Sequence, residues 1–251
     1  YDRRLQAARI SRLLESLGRR PRVLMVAQYF DPAAGGSERQ ACQQAEDLAA
    51  EGASVTVLSR RARGVRDQDL PGVREIRVGD PESPGPLENR GLAVPFLFGC
   101  RIAAHLLRHG GNYDVVHFHG AGLPAMLAVP AARLRGLRIL AKVSAANTGW
   151  EAGSLLEKGR WGPAGWLARR IFRKVDLWIA ISGAVARGLA SDGIGTVRIR
   201  RIPNGVDLSR FRPLSPAERA EARARLGWPA SARVALLVGR QVPFKGTAPF
   251  V

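Results

Sequence analysis

The stretch RVLMVAQYFDPAAGGSERQ, Arg22–Gln40, decides the fold. Val23 to Ala27 is an unbroken apolar run, too short for a helix and made of residues that suit a strand buried on both faces. An aromatic pair follows (Tyr29, Phe30), then the breakers Asp31 and Pro32, then the flexible pair Gly35 and Gly36. Ser37-x-x-Gln40 has capping-box spacing and predicts a helix over 37–51, stopped by Gly52. A strand, a glycine turn and a helix in this order expose backbone N–H groups that have no intrahelical partner. Two readings of the turn stand side by side. One is an anion cradle, where the helix dipole favours phosphate and glycine lets it approach; the other is a plain strand–helix turn.

Downstream, the same alternation repeats. Ser54–Leu58 reads as a second strand, ending in Ser59-Arg60-Arg61. A nicotinamide-dinucleotide fold needs G-x-G-x-x-G directly after the first strand and an acidic residue about 20 residues later. Neither is present, which argues against that oxidoreductase class. Val73–Val78 alternates apolar and charged residues, as an edge strand does. Val94–His109 reads as a helix whose His105 and His109 lack the H-E-x-x-H context of a metalloprotease and are expected to be solvated. YDVVHFHG (113–120) is a short buried strand with His117 and His119 on one side near its end. Two histidines without a third ligand are expected to donate and accept hydrogen bonds in a cleft, not to hold zinc. Leu137–Val143 is a further strand, followed by the small, polar Ser144–Gly149. Asp176–Ile181 and Val197–Ile202 complete seven strands. Ser182 caps one helix, and Ser215-Pro216-x-Glu218 opens another. Arg233–Val238 is expected to be the first strand of a second unit.

The chain has 251 residues and is 46% hydrophobic, enough to bury a full core. The expected organisation is a helix over 1–20, an α/β domain over 21–202, a connector over 203–230 and the start of another domain over 231–251. Leu5, Leu13, Leu14 and Leu17 define the apolar face of the first helix, with Gly18 as its C-cap. That helix is expected to pack on the domain, the alternative being an anionic membrane surface. No apolar run approaches the ~20 residues of a membrane span. Cys42 and Cys100 form no disulfide framework, so a cytoplasmic setting, including the inner membrane face, is expected. The net charge is +18, with 39 basic residues of which only Lys142, Lys158, Lys174 and Lys245 are lysines. The arginines are spread over the whole length without a nucleic-acid module, which argues against nucleic acid as partner. The chain opens on Tyr1 and stops at Val251 inside an apolar segment, so a fragment is expected.

The ordered set RVLMVAQYFDPAAGGSERQ, YDVVHFHG, DLWIAIS, IPNGVDLSRFRP and LLVGRQVPFKG resembles family 4 glycosyltransferases of the GT-B type. The resemblance implies the N-terminal half of a GT-B fold: a doubly wound, mostly parallel, Rossmann-like α/β sheet that faces a donor-binding domain across a cleft. It implies sugar transfer from a nucleotide-sugar donor to a sugar or lipid-linked acceptor, with retention of configuration and no metal or other cofactor. Gly35, Gly36, Arg240 and Lys245 would meet the donor diphosphate. His119 and Ser144 would stand at the reacting sugar, Ser144 where many relatives carry histidine, with Ser37, His117 and Asn147 along the acceptor cleft. The resemblance also implies that the polypeptide, lacking most of the donor domain, is inactive alone. The rival expectation is a basic module for anionic membranes or polyanions, and a lipid-linked acceptor makes the two compatible.

Overall fold

The computed structural model describes residues 2–14, 20–85, 91–143 and 162–238. Among them, seven strands form one parallel sheet: β1 (Arg22–Val26), β2 (Ser54–Arg60), β3 (Val73–Val78), β4 (Val115–His119), β5 (Arg138–Val143), β6 (Leu177–Ala180) and β7 (Ile199–Arg201). Their order is β3-β2-β1-β4-β5-β6-β7. The chain winds outward from β1 to β3, then returns to the other side of β1 with β4. The β1/β4 boundary is therefore the switch point, above which open α/β sheets bind ligands. The doubly wound α/β expectation holds, with β3 at one edge as its alternating pattern required.

The helices divide between the faces. α1 (Arg3–Leu14) and α2 (Gly36–Ala50) cover one face, α3 (Ala93–His109), α4 (Leu123–Leu134), α5 (Gly162–Phe172) and α6 (Gly183–Ser191) the other. Side-chain alternation splits each central strand between the two cores. Val23, Met25 and Val115 meet α1 and α2, whereas Leu24, Val26, Val116 and Phe118 meet α3 and α4.

Two aspartates explain why strands begin where they do. Asp114 accepts from the Arg22 backbone N–H (2.9 Å) and takes Arg22 Nη2 (2.9 Å) and Nε (3.2 Å) in a fork. Asp176 does the same for β5, accepting from Ile139 N–H at 2.7 Å and from Arg133 Nη2 at 2.5 Å. Each carboxylate stops a neighbouring strand's lower end from fraying.

α1 packs on the sheet as expected; of the four leucines of its expected apolar face only Leu5 has a described side chain, those of Leu13, Leu14 and Leu17 lying outside the described residues. Ala7 and Ile10 are buried, together with Gln6, while Leu5 is exposed. The reason is close approach. Arg3 N–H donates to Val206 O (3.0 Å), Gly205 N–H donates to Gln6 Oε1 (3.1 Å), and the Arg3 guanidinium reaches Asp47 Oδ1 at 2.7 Å. A Cβ on Gly205 would stand 2.4 Å from Arg3 Cα. Only small or slender side chains leave room for this contact. Gly18 lies outside the described residues. His105 also departs from expectation: its Nε2 lies 3.0 Å from Tyr113 Oη in a half-buried pair, and only His109 is exposed.

The compact unit runs through Leu208, and residues 209–251 form a separate one. In the latter, α7 (Pro216–Arg225) begins with the expected capping box: Ser215 Oγ accepts from Glu218 N–H (3.3 Å) and Glu218 accepts from Ser215 N–H (2.8 Å). Arg233–Val238 does not form the expected strand. A strand exists by pairing, and this segment has no strand partner among the described residues; Leu236 and Val238 stand exposed.

Gly205→Ala should destabilise the first unit by about 1–3 kcal/mol, because the obstructing atoms are backbone. A urea-unfolding midpoint equal to wild type would show that α1 does not depend on this contact.

Candidate functional site

Above the switch point, β1 leads into the turn that carries the two glycines. Asp31, buried in this turn, accepts from Ala33 N–H (2.8 Å) and from Arg66 N–H (2.9 Å), so the turn is tied to the loop after β2. Arg60, at the end of β2, is buried with its guanidinium 4.8 Å from the Tyr29 ring centroid. It donates to Tyr29 Oη, to Ser83 Oγ (3.0 Å) and to Pro84 O (2.6 Å). The glycine turn thus rests on a fixed base. Sequence pattern alone does not reveal this role, since an arginine among arginines reads as surface.

The helix beyond the turn starts one residue earlier than the capping-box reading places it. Gly35 is the N-cap of α2, in extended conformation (φ 169°, ψ −178°), with no side chain to cap the first turn. The Ser37/Gln40 box does not form. Gln40 Nε2 instead donates to Gln43 Oε1 (3.0 Å) and Gly205 O (3.2 Å). The third helical residue is Glu38, the position of the acidic partner in a capping box. Its Oε2 lies 2.5 Å from where a Cβ on Gly35 would stand, so its carboxylate folds back over the helix end. Gly36 is different. Its backbone is that of the helix, not the left-handed region, and a Cβ there would meet nothing within 4 Å. Nothing in the described chain requires glycine at 36.

Beneath this end lies a buried polar group. β4 register places His119 opposite Lys142 of β5, and His117 opposite Leu140. Both imidazoles face α2, their centroids 6.0 Å apart. His117 is 1% exposed and His119 7%, and no ring nitrogen of either has a hydrogen-bond partner among the described residues. His117 therefore lies a layer below the cleft position expected of it, because α2 covers the last residues of β4; only His119 reaches the rim. Lys142, fully buried, donates from Nζ to Gln44 Oε1 of α2 at 3.4 Å. Burial pushes the His117 imidazole down to about 3, helped by the Lys142 charge. The same causes, with His117 itself, hold His119 well below its ordinary value. The Ser37 backbone, close to the His119 ring at a geometry short of a hydrogen bond, acts in the opposite direction. Cys42, also on α2, is pushed up to about 12 by burial and is no thiolate nucleophile.

The structure thus brings Gly35, Gly36, Ser37 and His119 to one place, with Gly36 and Ser37 exposed to solvent. Ser144, Asn147, Arg240 and Lys245 lie outside the described residues. Among the described residues, no three His, Cys, Asp or Glu side chains gather as metal ligands, and no helix is long and apolar enough to cross a membrane.

A doubly wound sheet whose open glycine-led helix end sits at the switch point defines a Rossmann-like α/β domain. Comparison with known proteins gives its family. The profile of Glycosyltransferase Family 4 matches residues 34–210, and the chain belongs to that family. It is 30% identical over 254 residues to the D-inositol 3-phosphate glycosyltransferase of Acidothermus cellulolyticus, covering 90% of this chain and 52% of that protein. It is 31% identical over 231 residues to the GDP-mannose-dependent alpha-(1-6)-phosphatidylinositol monomannoside mannosyltransferase of Mycobacterium tuberculosis, covering 90% and 54%. The chain therefore spans about half the length of these curated relatives. Among solved structures it shares the fold of sucrose-phosphate synthase from Thermosynechococcus elongatus, with TM-score 0.57, 21% identity and coverage of 84% and 54%. It also shares the fold of HepE from Anabaena in complex with UDP and glucose, with TM-score 0.50, 15% identity and coverage of 82% and 50%.

The buried histidines set a pH dependence. Their folded values lie below the ordinary 6.5, so the unfolded chain binds protons that the native one excludes. Stability from this pair is complete above about pH 7 and is lost as pH falls below 6.5, by on the order of 1.4 kcal/mol per pH unit for each imidazole. Urea unfolding at pH 7.5, 6.0 and 5.0 should show this decline. Wild-type midpoints that stay level across the range would contradict the buried, neutral state of the pair.

Proposed function

We propose that this chain is the acceptor-side domain of a retaining glycosyltransferase that draws its sugar from a nucleotide-sugar donor and is inactive without a donor-binding partner domain. One observation carries the reading: Gly36, at the first residue of α2, faces open space that the described chain does not use. A glycine that neither backbone conformation nor packing demands is explained by a ligand that comes close to the main chain. The first N–H groups of α2 lack intrahelical partners, and the helix dipole favours negative charge there. The donor diphosphate supplies that charge.

As the glycosidic bond to the donor breaks, negative charge grows on the departing nucleoside diphosphate. Gly35 and Gly36 at the start of α2, and the cations Arg240 and Lys245, are the residues we assign to stabilising this leaving group electrostatically. No metal is needed for this. His119 and Ser144 stand at the reacting sugar, while Ser37, His117 and Asn147 shape the acceptor side, with His117 acting from beneath. The relatives named for inositol phosphate and phosphatidylinositol mannoside support a sugar-like or lipid-linked acceptor. A cytoplasmic reaction, at the inner face of the membrane where the acceptor is lipid-linked, fits such a donor.

In the full-length enzyme, Gly36→Val should leave the melting temperature within experimental scatter yet lower transfer at least tenfold, about 1.4 kcal/mol of transition-state binding. Undiminished turnover with the valine in place would remove the basis of the proposal.

Membrane attachment is a second reading, favoured by one surface feature. Trp166 on α5 is 63% exposed under the Arg170 guanidinium (5.5 Å), beside exposed Leu167. An amphipathic ring below a cation suits an anionic bilayer surface. α1 does not share that role, since Ala7 and Ile10 are spent on the sheet. Trp166→Ser should reduce cosedimentation with phosphatidylglycerol vesicles several-fold at low salt; equal cosedimentation would dismiss it.

A further inference from the structure

Two cations without a structural task lie at the same end of the sheet as the glycine turn, three strands along from β1. β6 ends at Ala180, and Ser182 and Gly183 open α6 directly after it. β7 ends beside it, with Arg201 opposite Ala180 in the parallel register. Alternation decides where Arg201 points. Ile199 packs against the core beneath α5 and α6, so Arg201, two residues on, turns to that same face. Arg187 lies one helical turn beyond Gly183 and shares its side of α6. The two guanidiniums meet above Gly183, where a Cβ would stand 3.4 Å from Arg187 Nη1 and 3.8 Å from Arg201 Nη1.

Two positive charges about 7 Å apart or closer repel, so this convergence calls for an anion. Arg22, Arg77 and Arg133 spend their guanidiniums on carboxylates of the chain. Arg187 and Arg201 do not: both are exposed, and neither has a hydrogen bond or ion pair among the described residues. The first turn of α6 carries no acidic residue. Its start is capped from within, Ser182 Oγ accepting from Val185 N–H at 3.2 Å, so the charge here comes from the two side chains. Gly183 does not take the left-handed backbone that would demand glycine; it keeps the space between the guanidiniums clear.

Each guanidinium presents a planar fork of donors and no acceptor. A neutral hydroxyl or amide answers the donors but not the charge. A carboxylate answers both, yet one fork consumes its single charge and its two oxygens. A phosphate monoester carries about −1.5 to −2 charge at neutral pH and three acceptor oxygens, enough for both forks at once.

We propose that Arg187 and Arg201, converging over Gly183, form a binding site for a phosphate monoester, separate from the glycine turn. β6 stands three strand spacings from β1, roughly 14 Å, so one phosphate group cannot lie in both places. Nothing in this site requires the transferase reading. The phosphate is carried by a soluble molecule or by a phosphatidic acid head, and the experiment separates the two sources.

Inorganic phosphate is titrated into the full chain at constant ionic strength, balanced with chloride, while NMR follows the Gly183 amide and the Nε–H signals of Arg187 and Arg201. Saturable shifts at all three are expected. Arg187→Gln and Arg201→Gln should each weaken binding about fivefold or more, with the melting temperature unchanged because both side chains are exposed. In parallel, cosedimentation with phosphatidylcholine vesicles containing phosphatidic acid is measured for wild type and for the variant carrying both glutamines. Phosphate shifts lost in that double variant support a soluble ligand. Vesicle binding lost in the double variant, without phosphate shifts, supports a lipid head. Shifts confined to the Ser37 amide would overturn the inference, as would responses that the double variant retains or the absence of both.

Discussion

The fork between Arg22 and Asp114 holds the lower ends of β1 and β4 together at the switch point. A parallel pair has no hairpin to set its register, so some local bond must do so. With Val23 against Val115, the alternation along β4 then places His117 and His119 toward α2 and Phe118 toward α4. A slip of one residue would turn the imidazoles into the apolar core under α4 and put Phe118 beneath the glycine turn. The bond is partly exposed, and its importance lies in geometry more than in strength.

Upward from that register, the site is built by covering. α2 lies over the ends of β4 and β5, which removes water from two imidazoles and a lysine. Burial keeps the imidazoles uncharged, and the Lys142 ammonium makes a second positive charge beside it unfavourable. Their neutral form leaves them donor and acceptor at once, a property lost on protonation. The helix that covers them also ends in the glycine pair, so electrostatic environment and open backbone come from one element.

Much of this was legible in residue order. The apolar runs of β1, β4, β5 and β6 could be placed because strands buried on both faces leave a continuous hydrophobic signal. The glycine turn stood out because two adjacent glycines followed a strand and preceded a helix. Lys142 was not legible as a site residue, since a lysine within an apolar run gives no sign of which face it takes or what covers it. Arg60 was hidden in the same way by the arginines around it. The cap of α2 was misread because Ser37 and Gln40 have suitable spacing, while the true start is set by glycine at the cap and by Glu38 three residues on. The burial of Gln6 on α1 follows from the approach of Gly205, a contact 199 residues away in sequence and beyond any local pattern.

That long-range clasp has a consequence for how the molecule is made. Asp2 pairs with Val206, and Gln6 with Gly205, so the earliest residues wait for nearly the last of their unit before they can dock. At ribosomal rates of roughly 5–20 residues per second, the delay is on the order of ten seconds or more. During that interval the first helix, with four arginines and no acidic residue among its twelve, has nothing of its own to neutralise it. A nascent chain in this state exposes a cationic arm beside a half-built sheet. That arm can dock only once the turn after β7 has been made.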